Sequence, residues 1–383
     1  MTRSRALLSP YLLIGVLLLC AGCPDATLGS TSDGGVDSKV DLAAPVCANQ
    51  IVDGKLNVDI QAITLTGRIT VNGVVPPAER FGTVTLRNST TGDSVALGML
   101  TDASYTPKQI IPGVYDVYYA WDTTDTVNPP ALPRNQKALI RSGVTLTSTQ
   151  TFNVDIPTVT LSGQITVNGV VPPAERFGTV TLRNSTTGDS VSLGTVTDAS
   201  YTPKQIIPGV YDVFYSWDTT DTVNPPALPR NQKALIRSGV TLTSTQTFNV
   251  DIPTITLTGR ITVNGVVPPA ERFGTVTLRN STTGDSVALG MLTDASYTPK
   301  QIIPGVYDVF YSWDTTDTVN PPALPRNQKA LIRSGVTLTS SQTFNVDIQA
   351  ITLTGRITVN GVVPPAERFG TVTLRNSTTG DSV

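Results

Sequence analysis

The chain has 383 residues, 15% of them charged and 39% hydrophobic, with 31 Gly and 28 Pro. Lys plus Arg number 27 against 29 Asp plus Glu, so the net charge is -2 and no electrostatic footprint for nucleic acid exists. Histidine is absent, which excludes Ser-His-Asp and Cys-His nucleophilic machinery and any imidazole metal ligand, and the 3 Cys all precede residue 63, so residues 63–383 hold no thiolate metal set.

Residues 1–22 read as an export signal: Arg3 and Arg5 precede an apolar stretch from Ala6 to Leu19, interrupted by Ser9, Pro10 and Gly15. The stretch is too short for a permanent membrane helix. It ends in Leu19-Cys20-Ala21-Gly22-Cys23, which resembles the bacterial lipobox, with Cys20 where that motif usually has Leu. The resemblance implies that Cys23 is acylated and becomes the mature N-terminus; the alternative is an ordinary cleaved signal. Diacylglycerol plus an N-terminal acyl chain would give stable anchoring where a single chain is marginal. Residues 23–46 are rich in Gly, Ser and Asp, too polar to order themselves, and read as a flexible tether. With Cys20 removed and Cys23 lipidated, Cys47 is the one free thiol, so disulfides do not hold the fold.

Residues 47–62 are a lead-in in which Leu56-Asn57-Val58-Asp59-Ile60 matches Phe344-Asn345-Val346-Asp347-Ile348. A tandem repeat of period 96 then starts at Ile63, Val159, Ile255 and Ile351. It defines units 63–158, 159–254 and 255–350 and a truncated fourth unit, 351–383. The first and third differ at five positions (Tyr118/Phe310, Ala120/Ser312, Thr149/Ser341, Pro157/Gln349 and Thr158/Ala350), so identity between copies reflects recent duplication. A unit of this size can hold its own core, unlike a solenoid repeat of about 20 to 50 residues. The units read as beads joined almost without linkers at Pro157-Thr158, Pro253-Thr254 and Gln349-Ala350, in a chain expected to continue past Val383.

Within a unit the period is two. Ile63, Leu65, Gly67, Ile69 and Val71 alternate with polar residues and predict a strand ending at the Asn72-Gly73 turn. Val84 and Leu86 mark a second strand, Thr91-Gly92-Asp93 a turn, and Val95, Leu97 and Met99 a third strand. After Pro112-Gly113, Tyr115, Val117, Tyr119 and Trp121 predict one inward face, with Tyr118 opposite. Further strands are expected near Lys137 to Arg141, Val144 to Thr147 and Thr151 to Ile156. Seven or so short strands without helical periodicity predict an all-β tandem array of Ig-like, prealbumin-like β-sandwiches.

Thr66-Gly67-Arg68-Ile69-Thr70, Thr83-Val84-Thr85-Leu86, Thr101-Asp102-Ala103-Ser104-Tyr105 and Ile111-Pro112-Gly113-Val114-Tyr115-Asp116-Val117 resemble the carboxypeptidase regulatory-like domain. The resemblance covers the first two-thirds of each unit and departs from the family at Ala103-Ser104 and in the longer loop from Val127 to Gln136. It implies a prealbumin-type sandwich that is non-catalytic and lends no active-site residues.

Candidate chemistry is sparse. Asp122, Asp125 and Asn128 offer hard oxygen ligands for Ca²⁺ on one loop, but their spacing fits no EF-hand and such residues also favour turns. Ser94 in Gly92-Asp93-Ser94 has no His to activate it and reads as a hairpin turn. Glu79 is the one Glu of the unit and nothing places an Asp beside it for glycoside hydrolysis. Lys137 and Asn153 are candidates for an isopeptide bond, weighed against a solvated Lys137. Tyr115, Tyr119 and Trp121 could stack on sugars, although their alternation favours the core. The expected function is a non-enzymatic, lipid-anchored cell-envelope protein of the outer membrane, without cofactors, whose units form a stalk or multiply a weak contact with a surface polysaccharide or protein. The alternatives are a carbohydrate-binding array and a spacer for an enzyme domain beyond residue 383.

Overall fold

The computed structural model describes residues 50–52, 55–57, 59–76, 82–99, 104–122, 132–172, 178–195, 200–218, 228–268, 274–291, 296–314, 324–364 and 371–383. Cys23, Cys47, Glu79, Asp125 and Asn128 lie outside them. The chain divides into two compact units, Met1–Ala62 and Ile63–Val383. In the first, β1 (Gln50–Val52) and β2 (Lys55–Asn57) form an antiparallel pair. Of the lead-in strand expected over 56–60, Leu56 and Asn57 lie in β2, Val58 lies outside the described residues, and Ile60 is 68% exposed. Its counterpart Val346–Ile348 pairs with Ile261–Val263 of the same repeat; residues 59–60 have no such neighbour among the described residues.

The second unit is all-β, with no helix among the described residues. The first repeat contains β3 (Ile63–Gly67), β4 (Ile69–Val71), β5 (Gly82–Asn88), β6 (Ser94–Met99), β7 (Tyr105–Ile110), β8 (Gly113–Trp121), β9 (Ala138–Leu146), β10 (Gln150–Thr151) and β11 (Val154–Ile156). A four-stranded antiparallel sheet has the order β6-β5-β8-β9. A three-stranded sheet has the order β10-β3-β7 and continues into the pair β11-β4. The last strands run parallel to the first ones, with Gln150 opposite Leu65 and Val154 opposite Ile69. The same strand orders recur in the next two repeats.

The alternation seen in the sequence becomes the core. Ile63, Leu65, Ile69 and Val71 from one sheet meet Val84, Leu86, Leu97, Tyr115, Val117 and Tyr119 from the other, all buried. Two glycines are demanded by geometry. A Cβ on Gly67 would lie 2.2 Å from the carbonyl oxygen of Phe152, and Gly73, at φ 77°, completes with Asn72, at φ 47°, the left-handed pair of a tight hairpin turn. The strand expected over 63–71 is thus interrupted at Arg68, where the amide is taken by Asn153 Oδ1 at 3.1 Å. The two strands expected near 137–147 are instead one, β9, bulged where the Gly143 amide donates to Asp116 Oδ1 at 2.9 Å.

Candidate functional site

Each repeat ends its proline-containing loop in Leu-Pro-Arg-Asn-Gln-Lys, at residues 132–137, 228–233 and 324–329. The end of this loop is built into the next repeat. Asn135 is fully buried; its Nδ2 donates to Asp189 Oδ2 and to the Tyr211 hydroxyl, and its Oδ1 accepts from the Ile207 amide at 2.8 Å. Its backbone carbonyl accepts from the Trp121 amide at 2.8 Å, so the residue is held from both sides. The Lys137 amide donates to Asp189 Oδ1 at 2.8 Å, while the amides of Arg134 and Gln136 donate to the carbonyls of Gln205 and Ser190. Ile207 of the second repeat packs into the core cluster of the first, alongside Leu132. Asn231, Asp285, Tyr307 and Ile303 repeat the arrangement one unit on.

Local chemistry explains the receiving side. The 88–93 turn and its copies are closed by the Asn side chain: Asn184 Oδ1 accepts from the amides of Thr186 and Thr187, and its backbone amide donates to the Asp189 carbonyl. That turn presents Asp189 to the preceding repeat. Two carboxylate oxygens accept from Asn135 and from the Lys137 amide, which compensates a carboxylate 2% exposed. Burial pushes the Asp285 carboxyl above the ordinary aspartate value, against hydrogen bonds that pull it down. Burial raises Tyr211 and Tyr307 to about 12. Burial lowers Lys204 and Lys300, and the charge of Arg134 or Arg230 in the preceding repeat adds to it.

A second clamp holds the strand-to-strand junction. Asn72 Nδ2 donates to Thr158 Oγ1 at 2.8 Å, and Asn72 Oδ1 accepts from the Thr158 amide at 2.9 Å. Asn168 binds Thr254 in the same way, whereas Asn264 Nδ2 donates to the backbone carbonyl of Ala350, 3.0 Å away, and its Oδ1 accepts from the Ala350 amide. At these junctions each repeat shares packed side chains with the next.

The residues singled out in the sequence are placed as follows. Tyr115 and Tyr119 are buried, their hydroxyls donating to the carbonyls of Ile111 and Pro133. Trp121 is half-buried with the Arg134 guanidinium 4.2 Å from its ring centroid, and its indole N–H is buried without a partner among the described residues. Tyr118 faces away from the core with Lys137 Nζ 5.9 Å from its ring. Asn153 is engaged with Arg68 and Arg141, so Lys137 and Asn153 have separate partners. Asp122 is described at the end of β8, but its companions Asp125 and Asn128 are not; among the described residues no group of three His, Cys, Asp or Glu could hold a metal ion. Asp93 and Ser94 sit exposed at the predicted hairpin turn. Asn135 and the Asp93 series were not legible as a site, because an Asn in a polar loop gives no sign that the next repeat will cover it.

No family model matches the chain, and no curated protein matches it. Solved structures do. A leucine-rich repeat protein from Bacteroides thetaiotaomicron is 15% identical over 50% of this chain, with a TM-score of 0.19. A streptococcal ancillary pilin is 9% identical over 76% of this chain and 99% of its own, with a TM-score of 0.20. The minor pilin of Streptococcus agalactiae is 12% identical over 50% of this chain and 94% of its own, with a TM-score of 0.23. The chain spans 26% of the length of the leucine-rich repeat protein.

Proposed function

We propose that the chain is a non-enzymatic, lipid-anchored stalk of the bacterial cell envelope, at the outer membrane, with repeats akin to carboxypeptidase regulatory-like domains. The observation that carries this reading is the recurring junction, in which a buried Asn–Asp pair and an isoleucine lock each repeat to the next. One contact repeated between unlike surfaces adds every unit by the same rotation and translation, which suits a spacer. Acylation of Cys23 would fix one end and residues 24–46 would clear the headgroups. The sequence has no His, so the repeats have no Ser-His-Asp or Cys-His machinery. Repetition would then multiply a weak contact with a surface polysaccharide or protein.

Deletion of residues 159–254 tests this reading, because it joins Thr158 to Ile255 and leaves Asn135 of the first repeat to meet Asp285, Ile303 and Tyr307 of the third, a complete junction set. The distance between a membrane dye and a tag after Val383 should fall by one repeat length in whole cells, and Cys23→Ala should release the protein from the membrane fraction. An unchanged distance, with the deletion variant folded and anchored, overturns the stalk.

A further inference from the structure

We infer that each repeat is a mechanical clamp that bears tension along the chain, and that the clamp is the parallel pairing of its first and last strands. The inference rests on the stalk reading, which sets the direction of the load. The chain enters the first repeat on β3 and β4 and leaves it on β10 and β11, which lie beside them and run the same way. A pull on the two ends of the repeat therefore drags β3 and β4 backward and β11 forward, so the strands must slide past each other. Sliding strains every cross-strand hydrogen bond at once, because these bonds lie across the strands. An antiparallel pair would be entered and left at one end and would open bond by bond. The same parallel pairing recurs where Ile165 faces Val250 and where Ile261 faces Val346.

Side chains reinforce this pair where its backbone ladder is weakest. The amides of Phe152 and Val154 donate to the carbonyls of Thr66 and Arg68. At the break between β3 and β4, Asn153 Oδ1 takes the Arg68 amide. Past it, Asp155 Oδ1 accepts from the Thr70 hydroxyl at 2.6 Å and from the Gly73 amide at 2.8 Å. Phe152, Val154 and Ile156 are buried in the core, so the alternate, outward residues of the last strand are the ones that tie it to the first. Asp251 and Asp347 make the same two bonds in the next repeats. The load also passes on with little slack. Pro157 and Thr158 alone separate β11 from the next strand, Val159–Gly163, and Thr158 is tied back to Asn72. The four-stranded sheet contains neither the first nor the last strand of its repeat and lies off this path.

The test stretches the full chain between tags at its two ends in a force microscope, since forced unfolding reads the unfolding barrier rather than the equilibrium stability. Each repeat that ruptures should lengthen the chain by about 30 nm, given about 3.4 Å per extended residue. The variant Asp155→Ala, Asp251→Ala and Asp347→Ala removes two cross-strand bonds per repeat. Its rupture forces should fall by roughly a quarter or more, because those bonds break in the rate-limiting step. Thr70→Val, Thr166→Val and Thr262→Val, which keep the side-chain shape, should lower the force in the same direction. The control is Val84→Ala, Val180→Ala and Val276→Ala, fully buried positions of the four-stranded sheet. It should lower the urea midpoint at least as far as the aspartate variant while lowering the rupture force less. Rupture forces that simply follow the urea midpoints across the three variants overturn the clamp, as does an unchanged force in a folded aspartate variant. Such a failure would leave the dye-to-tag distance of the repeat deletion unaffected, and a failed distance test would leave the rupture forces as they are.

Discussion

Two aspartates of the third repeat illustrate how one residue type takes opposite electrostatic roles. Asp285 is buried at the junction, and burial holds its carboxyl above the ordinary value of 3.8. Asp347 lies at the surface, where the Thr262 hydroxyl, 2.6 Å away, and the Gly265 amide hold its carboxyl below that value. A folded-state value above the unfolded one means that the native protein binds more protons, so acidification through the window above 3.8 stabilises the Asp285 junction. A depressed value means the reverse: the Asp347 contribution is present above 3.8 and is lost as pH falls below it. Chemical denaturation of the full chain from pH 7 downward should therefore show Asp285→Asn removing a gain in stability above pH 3.8 and Asp347→Asn removing a loss below it. Identical pH profiles for wild type and both variants would contradict the assignment. Neither role was legible in the sequence, since both residues sit in polar, turn-rich stretches and burial of the first depends on a loop 54 residues away.

At the scale of elements, the period-two pattern identified the strands whose buried faces alternate cleanly, such as β5 with Val84 and Leu86 and β8 with Tyr115, Val117 and Tyr119. It missed β7, Tyr105–Ile110, because only its end residues are buried and Pro107 interrupts it. The strand lies at the edge of the three-stranded sheet, where a proline costs no central ladder bond. It split β9 in two at Ser142-Gly143, where the structure keeps one strand by spending the Asp116 carboxylate on the bulge. The parallel return of β10 and β11 onto β3 and β4 also escaped, since pairing across 85 residues leaves no local signature. That pairing depends on a close approach. A Cβ on Gly163 would stand 2.3 Å from the Phe248 carbonyl oxygen, with the Tyr201 hydroxyl bonded to the same oxygen at 2.8 Å. Gly163→Ala should force the backbones apart and destabilise the second repeat by about 1–3 kcal/mol, the usual range for overpacking. Urea unfolding of the chain would read this as a lower midpoint; an unshifted midpoint would show that the strand yields freely.

At the scale of the whole array, the repeats are so alike in sequence that their intrinsic stabilities should be nearly equal. Coupling between them is then a nearest-neighbour term added at each junction. Asn135→Ala leaves the Ile207 amide and the Asp189 carboxylate short of a partner inside a dry contact, and each unsatisfied group costs about 1–3 kcal/mol. The variant Asn135→Ala with Asn231→Ala should therefore lose several times the thermal energy of coupling while leaving the core of each sandwich intact. Equal units that melt independently do so at one temperature, so the number of calorimetric peaks is uninformative and the width is the readout. In the wild type the van't Hoff enthalpy should approach that of several repeats melting together, and in the double variant it should fall toward that of one repeat while the total calorimetric enthalpy changes little. A van't Hoff enthalpy that is the same in both would mean that the junctions position the repeats without coupling their unfolding, and the array would bend at each joint.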